Sequence, residues 1–146
     1  MHRRSFIRSL AATGGAGLLM PAWAAAAAPH QCLRGHLAGA VFHTREAPGR
    51  WGAKVDGHLP QLEAGHGSDG GLRVQVVTGH EMKGYEHYIV KHLLFDGEFN
   101  FLAEHRFDPE QDGAPVSTFE LRDYSGTLYA LSVCNLHDTW LNGLEV

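Results

Sequence analysis

Apolar and polar residues alternate at period two through much of the second half of the chain, and that period predicts β-strands. Leu72-Arg-Val-Gln-Val-Val77 is the clearest run. His87 to Phe95 predicts a second strand, and Asp96-Gly97 a two-residue hairpin turn into Phe99 to Leu102. After a loop over Asp108 to Pro115, strands are expected over Val116 to Leu121 and Thr127 to Val133, with a turn at Asp123 to Gly126 between them. Upstream, Leu33 to Phe42 predicts a short strand, Ala47 to Arg50 a turn, and the four glycines of Gly65 to Gly71 a loop. Short strands punctuated by turns, with no helical period after residue 28, predict an all-β fold, an antiparallel β-sandwich.

The first 28 residues do not fit that pattern. Arg3-Arg4-Ser5-Phe6-Ile7-Arg8 precedes a weakly hydrophobic Ala/Gly/Leu segment and the small-residue site Ala22-Trp23-Ala24. This order reads as a twin-arginine signal peptide over residues 1–28, cleaved between Ala24 and Ala28, and predicts a periplasmic protein. The rival reading is an uncleaved anchor, because Leu10 to Pro29 carries no charge. Its glycines and prolines make it a poor spanning helix, which needs about 20 strongly apolar residues. Residues 29–49 then form an N-terminal arm and 50–146 the folded domain.

Removing the signal takes three of the twelve basic residues and none of the sixteen acids, which leaves a net charge of −7. Such a chain offers no basic stripe for nucleic acid. It also does not attract an anion at long range, so any attraction must be local. Cys32 and Cys134 are the two cysteines. They allow one disulfide in an oxidising compartment. If Cys134 binds metal instead, Cys32 is a free thiol on the arm.

The candidate chemistry gathers where the last alternating run ends. Leu128-Tyr-Ala-Leu-Ser-Val133 stops at Cys134, and His137 follows three residues later. A thiolate and an imidazole at a strand end suit a transition metal, with Fe, Zn and Cu all open. Upstream stand His58-Leu-Pro60, His80-Glu-Met82 and Glu86-His87-Tyr88-Ile89. With Cys134-Asn-Leu-His137-Asp-Thr-Trp140, this ordered set resembles the superoxide reductases, the desulfoferrodoxin/neelaredoxin family. Their pattern is His-x-Pro, then His-Pro-x-x-x-x-His-x-Ile, then Cys-Asn-x-His-Gly-x-Trp. The resemblance covers about residues 50–142. No Cys-x-x-Cys pair is present, so it is to the one-iron type, without the rubredoxin-like centre.

The resemblance implies an immunoglobulin-like sandwich holding mononuclear non-haem iron by His58, His80, His87 and His137, with Cys134 as fifth ligand. It implies reduction of superoxide, with two protons, to hydrogen peroxide, and an external electron donor. His80 departs from the pattern: seven positions separate it from His87, and Glu81 replaces proline. The family's Glu-Lys before the first histidine is Asp56-Gly57 here. Asp56 is the candidate to replace the glutamate, and Lys54, four residues before His58, the candidate to replace the lysine. The remaining histidines, His30, His36, His43, His66, His92 and His105, read as solvated or strand-surface residues. Tyr88 and Trp140 read as packing around the site. Two other functions stay open: an iron-binding redox or carrier module without efficient superoxide turnover, and a copper- or zinc-binding protein. No membrane partner is expected after signal cleavage, and homo-oligomer formation is left open.

Overall fold

The computed structural model describes residues 37–67 and 70–146. The expected signal peptide, residues 29–36 of the arm and Cys32 lie outside the described residues. A 3-10 helix, Gly49–Lys54, runs directly into a one-turn α-helix, α1, Val55–His58. Seven strands follow: β1 Gln61–His66, β2 Leu72–Val77, β3 Ile89–Phe95, β4 Phe101–Arg106, β5 Val116–Leu121, β6 Thr127–Cys134 and β7 Thr139–Glu145. They form a three-stranded sheet, β1-β2-β5, and a four-stranded sheet, β4-β3-β6-β7. Every strand pairing is antiparallel.

The period-two signal works where one strand face is buried. Leu72, Val74 and Val76 of β2 point inward while Arg73 and Gln75 face solvent. Likewise Leu128, Ala130, Ser132 and Cys134 of β6 alternate inward. Cys134 belongs to a cluster with Ile89 and Phe107, while Leu72, Val74, Val76, Leu128 and Ala130, with Leu94 of β3 and Phe119 of β5, make an apolar core shared by both sheets. Each fully buried Leu, Val or Phe in it contributes about 1.5–3 kcal/mol.

The expectation of an all-β, immunoglobulin-like sandwich is corrected. The protein has a mixed α/β fold, with two antiparallel sheets and a short helix. Residues 49–58 escaped the pattern because their helicity is imposed by tertiary contacts, not by an apolar stripe or a side-chain cap. Gly49 adopts φ +52° against Gly39, and a Cβ there would lie 2.1 Å from the Gly39 carbonyl oxygen. At the other end the His58 ring folds back along the turn, with Nδ1–H donating to the Lys54 carbonyl at 3.0 Å. Among the described residues no helix is long and apolar enough to cross a membrane.

Smaller expectations also shift. The described part of Leu33 to Phe42 forms isolated bridges, not a strand. Edge strand β1 is mostly exposed and carries little alternation, so it was not legible. The Asp96-Gly97 turn is a longer loop, because Asp96 Oδ1 accepts the N–H groups of both Glu98 and Asn100. Phe99, at φ +67°, stacks on Tyr129 with centroids 4.5 Å apart.

Two histidines expected at the surface are buried, His43 and His92. A register shift between Ile89 and Lys91 turns the His92 side chain to the core. There its Nε2–H donates to Thr78 Oγ1 at 2.9 Å, and Nδ1 accepts from Ser117 Oγ at 2.8 Å. Thr78 Oγ1 in turn donates to Ser132 Oγ at 3.0 Å. The network ties Ser117 of β5 and the residue after β2 to β3 and β6 across the interior. Every polar atom in it is paired, which is the condition under which a buried network does not destabilise.

Burial, and then the nearby His105, lower the His92 pKa from 6.5 to about 4. The unfolded chain therefore binds a proton near pH 6.5 that the folded chain refuses until about pH 4. Stability is full above pH 6.5, falls as pH drops through that window, and levels off below it; the His92 share is about 3 kcal/mol. Urea unfolding of metal-free protein across this window tests it. His92→Gln is expected to lose about 3 kcal/mol less than the parent between pH 6.5 and 4, because all other histidines titrate equally in both.

Candidate metal centre

Antiparallel pairing brings the start of β1, the end of β2, the start of β3, the end of β6 and the start of β7 to one end of the molecule. The five expected ligands sit at those points. One donor atom from each of His58, His80, His87, Cys134 and His137 lies within 4.8 Å of every other. His58, His80 and Cys134 are buried, and His87 and His137 are half-buried.

Each donor is aimed by local structure. His58 closes α1, and its Nδ1–H is committed to the Lys54 carbonyl, so Nε2 presents a lone pair inward. His80 follows Gly79, where the chain passes so close to α1 that a Cβ would lie 3.2 Å from the Asp56 carbonyl oxygen. The seven-residue spacing from His80 to His87 is absorbed by a turn: Gly84 takes φ +57°, and Lys83 N–H donates to the His87 carbonyl at 2.9 Å. Cys134 ends β6, and its Sγ accepts from the Leu136 N–H at 3.5 Å. The buried Trp140 forms the floor, donating from Nε1 to the His137 carbonyl at 2.8 Å and lying 5.7 Å beneath the His58 ring. The Trp51 ring stands edge-on to His137 at 4.7 Å.

Asn135 locks the loops together. Its Oδ1 accepts the Tyr88 N–H at 3.0 Å, while Nδ2 donates to the carbonyls of Tyr85 and Glu86 at 3.3 and 3.2 Å. The residue beside one ligand thus fixes the segment that carries another. The motif gives Asn135 no task, and Trp51 and His43 carry no local signal in the sequence.

The donor set explains its own electrostatics. His58 Nε2 and His87 Nε2 lie 3.0 and 2.9 Å from His137 Nδ1, and His80 Nε2 lies 2.9 Å from His87 Nε2. Burial, then neighbouring imidazoles, lower His58 and His80 to about 4. His87 and His137 are lowered too, first by burial. At neutral pH the four rings are therefore uncharged and their lone pairs converge. Burial pushes the Cys134 thiol up, against the pull of the Leu136 and His137 N–H groups. A cation at the convergence point would satisfy all five donors and stabilise the thiolate. A tetrahedral zinc site takes four ligands and would leave one buried donor over, whereas five N/S donors fit mononuclear iron.

The candidate catalytic pair lies outside this cluster. The Lys54 side chain is exposed at the rim, beside His58, His80 and His87. Asp56 is 96% exposed and its carboxylate lies 3.6 Å from Arg45 Nη1. The structure does not bring it among the five donors.

Asn135→Ala should lower metal affinity about tenfold while the fold persists, because it frees the His87 segment and removes only the long contact from Cys134 Sγ to Asn135 Oδ1 at 3.9 Å. Chelator competition monitored by metal content, with circular dichroism as the folding control, measures this.

The family model for desulfoferrodoxin matches residues 51–143. Among solved structures, the chain is 32% identical to a superoxide reductase (neelaredoxin) from Ignicoccus hospitalis, covering 74% of this chain and 95% of that one at a TM-score of 0.61. A variant of that protein gives the same identity, 74% and 94% coverage, and a TM-score of 0.63. A hypothetical protein from Pyrococcus horikoshii is 26% identical over 62% of this chain and 89% of that one, with a TM-score of 0.53. No curated protein matches the sequence. Family model, fold and donor cluster agree on one answer: the chain belongs to the desulfoferrodoxin family, as a non-haem iron protein of neelaredoxin-type superoxide reductase fold with a His4Cys cluster.

Proposed function

We propose that the protein reduces superoxide to hydrogen peroxide at the His4Cys centre, drawing electrons from an external donor. The observation that carries this reading is the convergence of four neutral imidazoles and one thiol sulfur within 4.8 Å. Bound iron supplies the electron for a one-electron reduction, with the thiolate donating density to it. The chain's own part is to hold these donors rigidly, to bring the anion in and to supply protons.

For the anion, local cations must work against the net negative charge. Lys54 and Lys83 both line the cleft over His58, His80 and His87. After burial, their charges are the next causes lowering the His87 pKa, so their field reaches the rings. Lys54 is the better candidate, because Lys83 is paired with Glu81 at 2.8 Å. Asp56, which the structure holds at Arg45 outside the donor cluster, is the proposed carboxylate of the oxidised centre and would have to leave Arg45 to serve there. Residues 1–28 support twin-arginine export to the periplasm, a route that carries folded, metal-loaded protein, with residues 50–146 as the working domain.

Protein purified without added metal should contain iron near stoichiometry. On mild oxidation it should develop a thiolate-to-Fe(III) absorption band in the red. Stopped-flow mixing of the reduced protein with superoxide should then show that band appearing with second-order kinetics. Lys54→Ala should slow that step about tenfold with iron content unchanged. Zinc or copper in place of iron, or iron without the band, would overturn the reading. Iron with the band but no reaction with superoxide would favour a redox carrier.

A further inference from the structure

Asp138 stands where the family pattern has glycine, directly after the ligand His137. It holds φ +62°, a conformation glycine adopts without strain and aspartate tolerates better than most residues. Retaining a side chain at such a position requires a compensating gain, and the surroundings of its carboxylate supply one. A single oxygen, Oδ2, accepts from Arg50 Nη2 at 2.6 Å, Trp51 Nε1 at 2.8 Å and His43 Nε2 at 3.2 Å. Its three partners are some 90 residues away in sequence and belong to the segment that precedes α1. His43 is almost fully buried and packs its ring 5.3 Å from Trp140. Trp51 is the residue set edge-on against His137, and the Arg50 guanidinium lies 5.0 Å from the centroid of its ring. The Asp138 carbonyl also accepts the Cys134 N–H at 2.9 Å, which closes the ligand loop on itself.

We infer that Asp138 is a positioning residue that clamps Trp51 over His137 and, with Arg50, forms a charge-balanced pair setting the reduction potential of the bound metal. The inference rests on the iron reading above. Two contributions are involved. As an acceptor, the carboxylate fixes the indole that shields one face of His137. As a charge, it stands one residue after His137 and on the loop whose Cys134 N–H its own carbonyl accepts at 2.9 Å, so its field falls on both ligands. A carboxylate near the metal favours Fe(III), and the guanidinium opposes it.

The charge role predicts shifts of opposite sign. Asp138→Asn keeps an acceptor and the turn but leaves Arg50 unbalanced, so the midpoint potential of the iron-loaded protein should rise. Arg50→Gln keeps a donor but leaves the carboxylate unbalanced, so the potential should fall. Each shift is expected to be about tenfold in the Fe(III)/Fe(II) ratio at fixed poise, or about 59 mV for a one-electron couple. The double variant should return close to the parent. In iron-free protein, Asp138→Gly relieves the backbone yet removes the acceptor, so the tryptophan emission should move to longer wavelength as Trp51 is released. Shifts of the same sign, or none, from the two single variants would overturn the charge role, and an unchanged emission would overturn the clamp. Arg50 is exposed, so its variant tests the potential even if an Asp138 variant misfolds. A parent protein that takes up no iron would overturn the iron reading, while the emission test still decides the clamp.

Discussion

Five electron-pair donors held within 4.8 Å of one another cannot satisfy each other. The His58 N–H is already directed away to the Lys54 carbonyl, so its inner nitrogen has only a lone pair to offer. Neutral imidazoles at 2.9–3.0 Å share too few protons for every close pair to be a hydrogen bond. Without a cation such a cluster tends to spread apart, and the scaffold must resist that. Most of the local structure at this end of the molecule is best understood as that resistance.

Resistance comes from both sheets. The three-stranded sheet contributes His58 and His80 from the chain flanking β1 and β2; the four-stranded sheet contributes His87, Cys134 and His137 from β3, β6 and the turn into β7. The sheets must therefore be fixed relative to each other to within the tolerance of a metal–ligand bond. An apolar core alone permits sliding, since hydrophobic contact is non-directional. The Thr78–His92–Ser117–Ser132 network is directional and fully paired, and Thr78 lies two residues before His80. The network thus sets the registry of the two sheets immediately behind the ligands. Asn135 and Asp138 act in the same way nearer the metal, each fastening one ligand-bearing loop to a distant segment.

What the sequence disclosed, and what it withheld, follows from the range of the forces involved. Strands β2, β5 and β6 were legible because burial of one face writes a period of two into consecutive residues. Cys134 and His137 were legible as a pair because three residues span the turn that holds both. The helix over Gly49–His58 was not, because glycine-to-glycine contact with Gly39 and the close pass of Gly79 stabilise it, and those partners are remote in sequence. His43 and His92 were misread as surface residues for the same reason: a histidine's burial depends on which hydroxyls and carboxylates the fold places around it. The extra residue between His80 and His87 looked like a threat to the site, yet a turn at Gly84 takes it up without moving either ring away.

The departures from the family pattern form a coherent set when charge is followed around the site. The chain lacks a lysine directly before His58, and its overall charge repels an anion. The cations it does place near the rings, Lys54 and Lys83, are joined on the other side by Arg50, which is tied to Asp138. A glycine in place of Asp138 would leave the Arg50 guanidinium unneutralised over Trp51, favouring a reduced metal and drawing anions to a face that Trp51 covers. The aspartate cancels that attraction while its three hydrogen bonds close the face sterically. With Lys83 paired to Glu81, Lys54 is then the main positive charge left over the cleft, so on the proposed function the same aspartate that steadies the ligand loop would leave the anion to approach there.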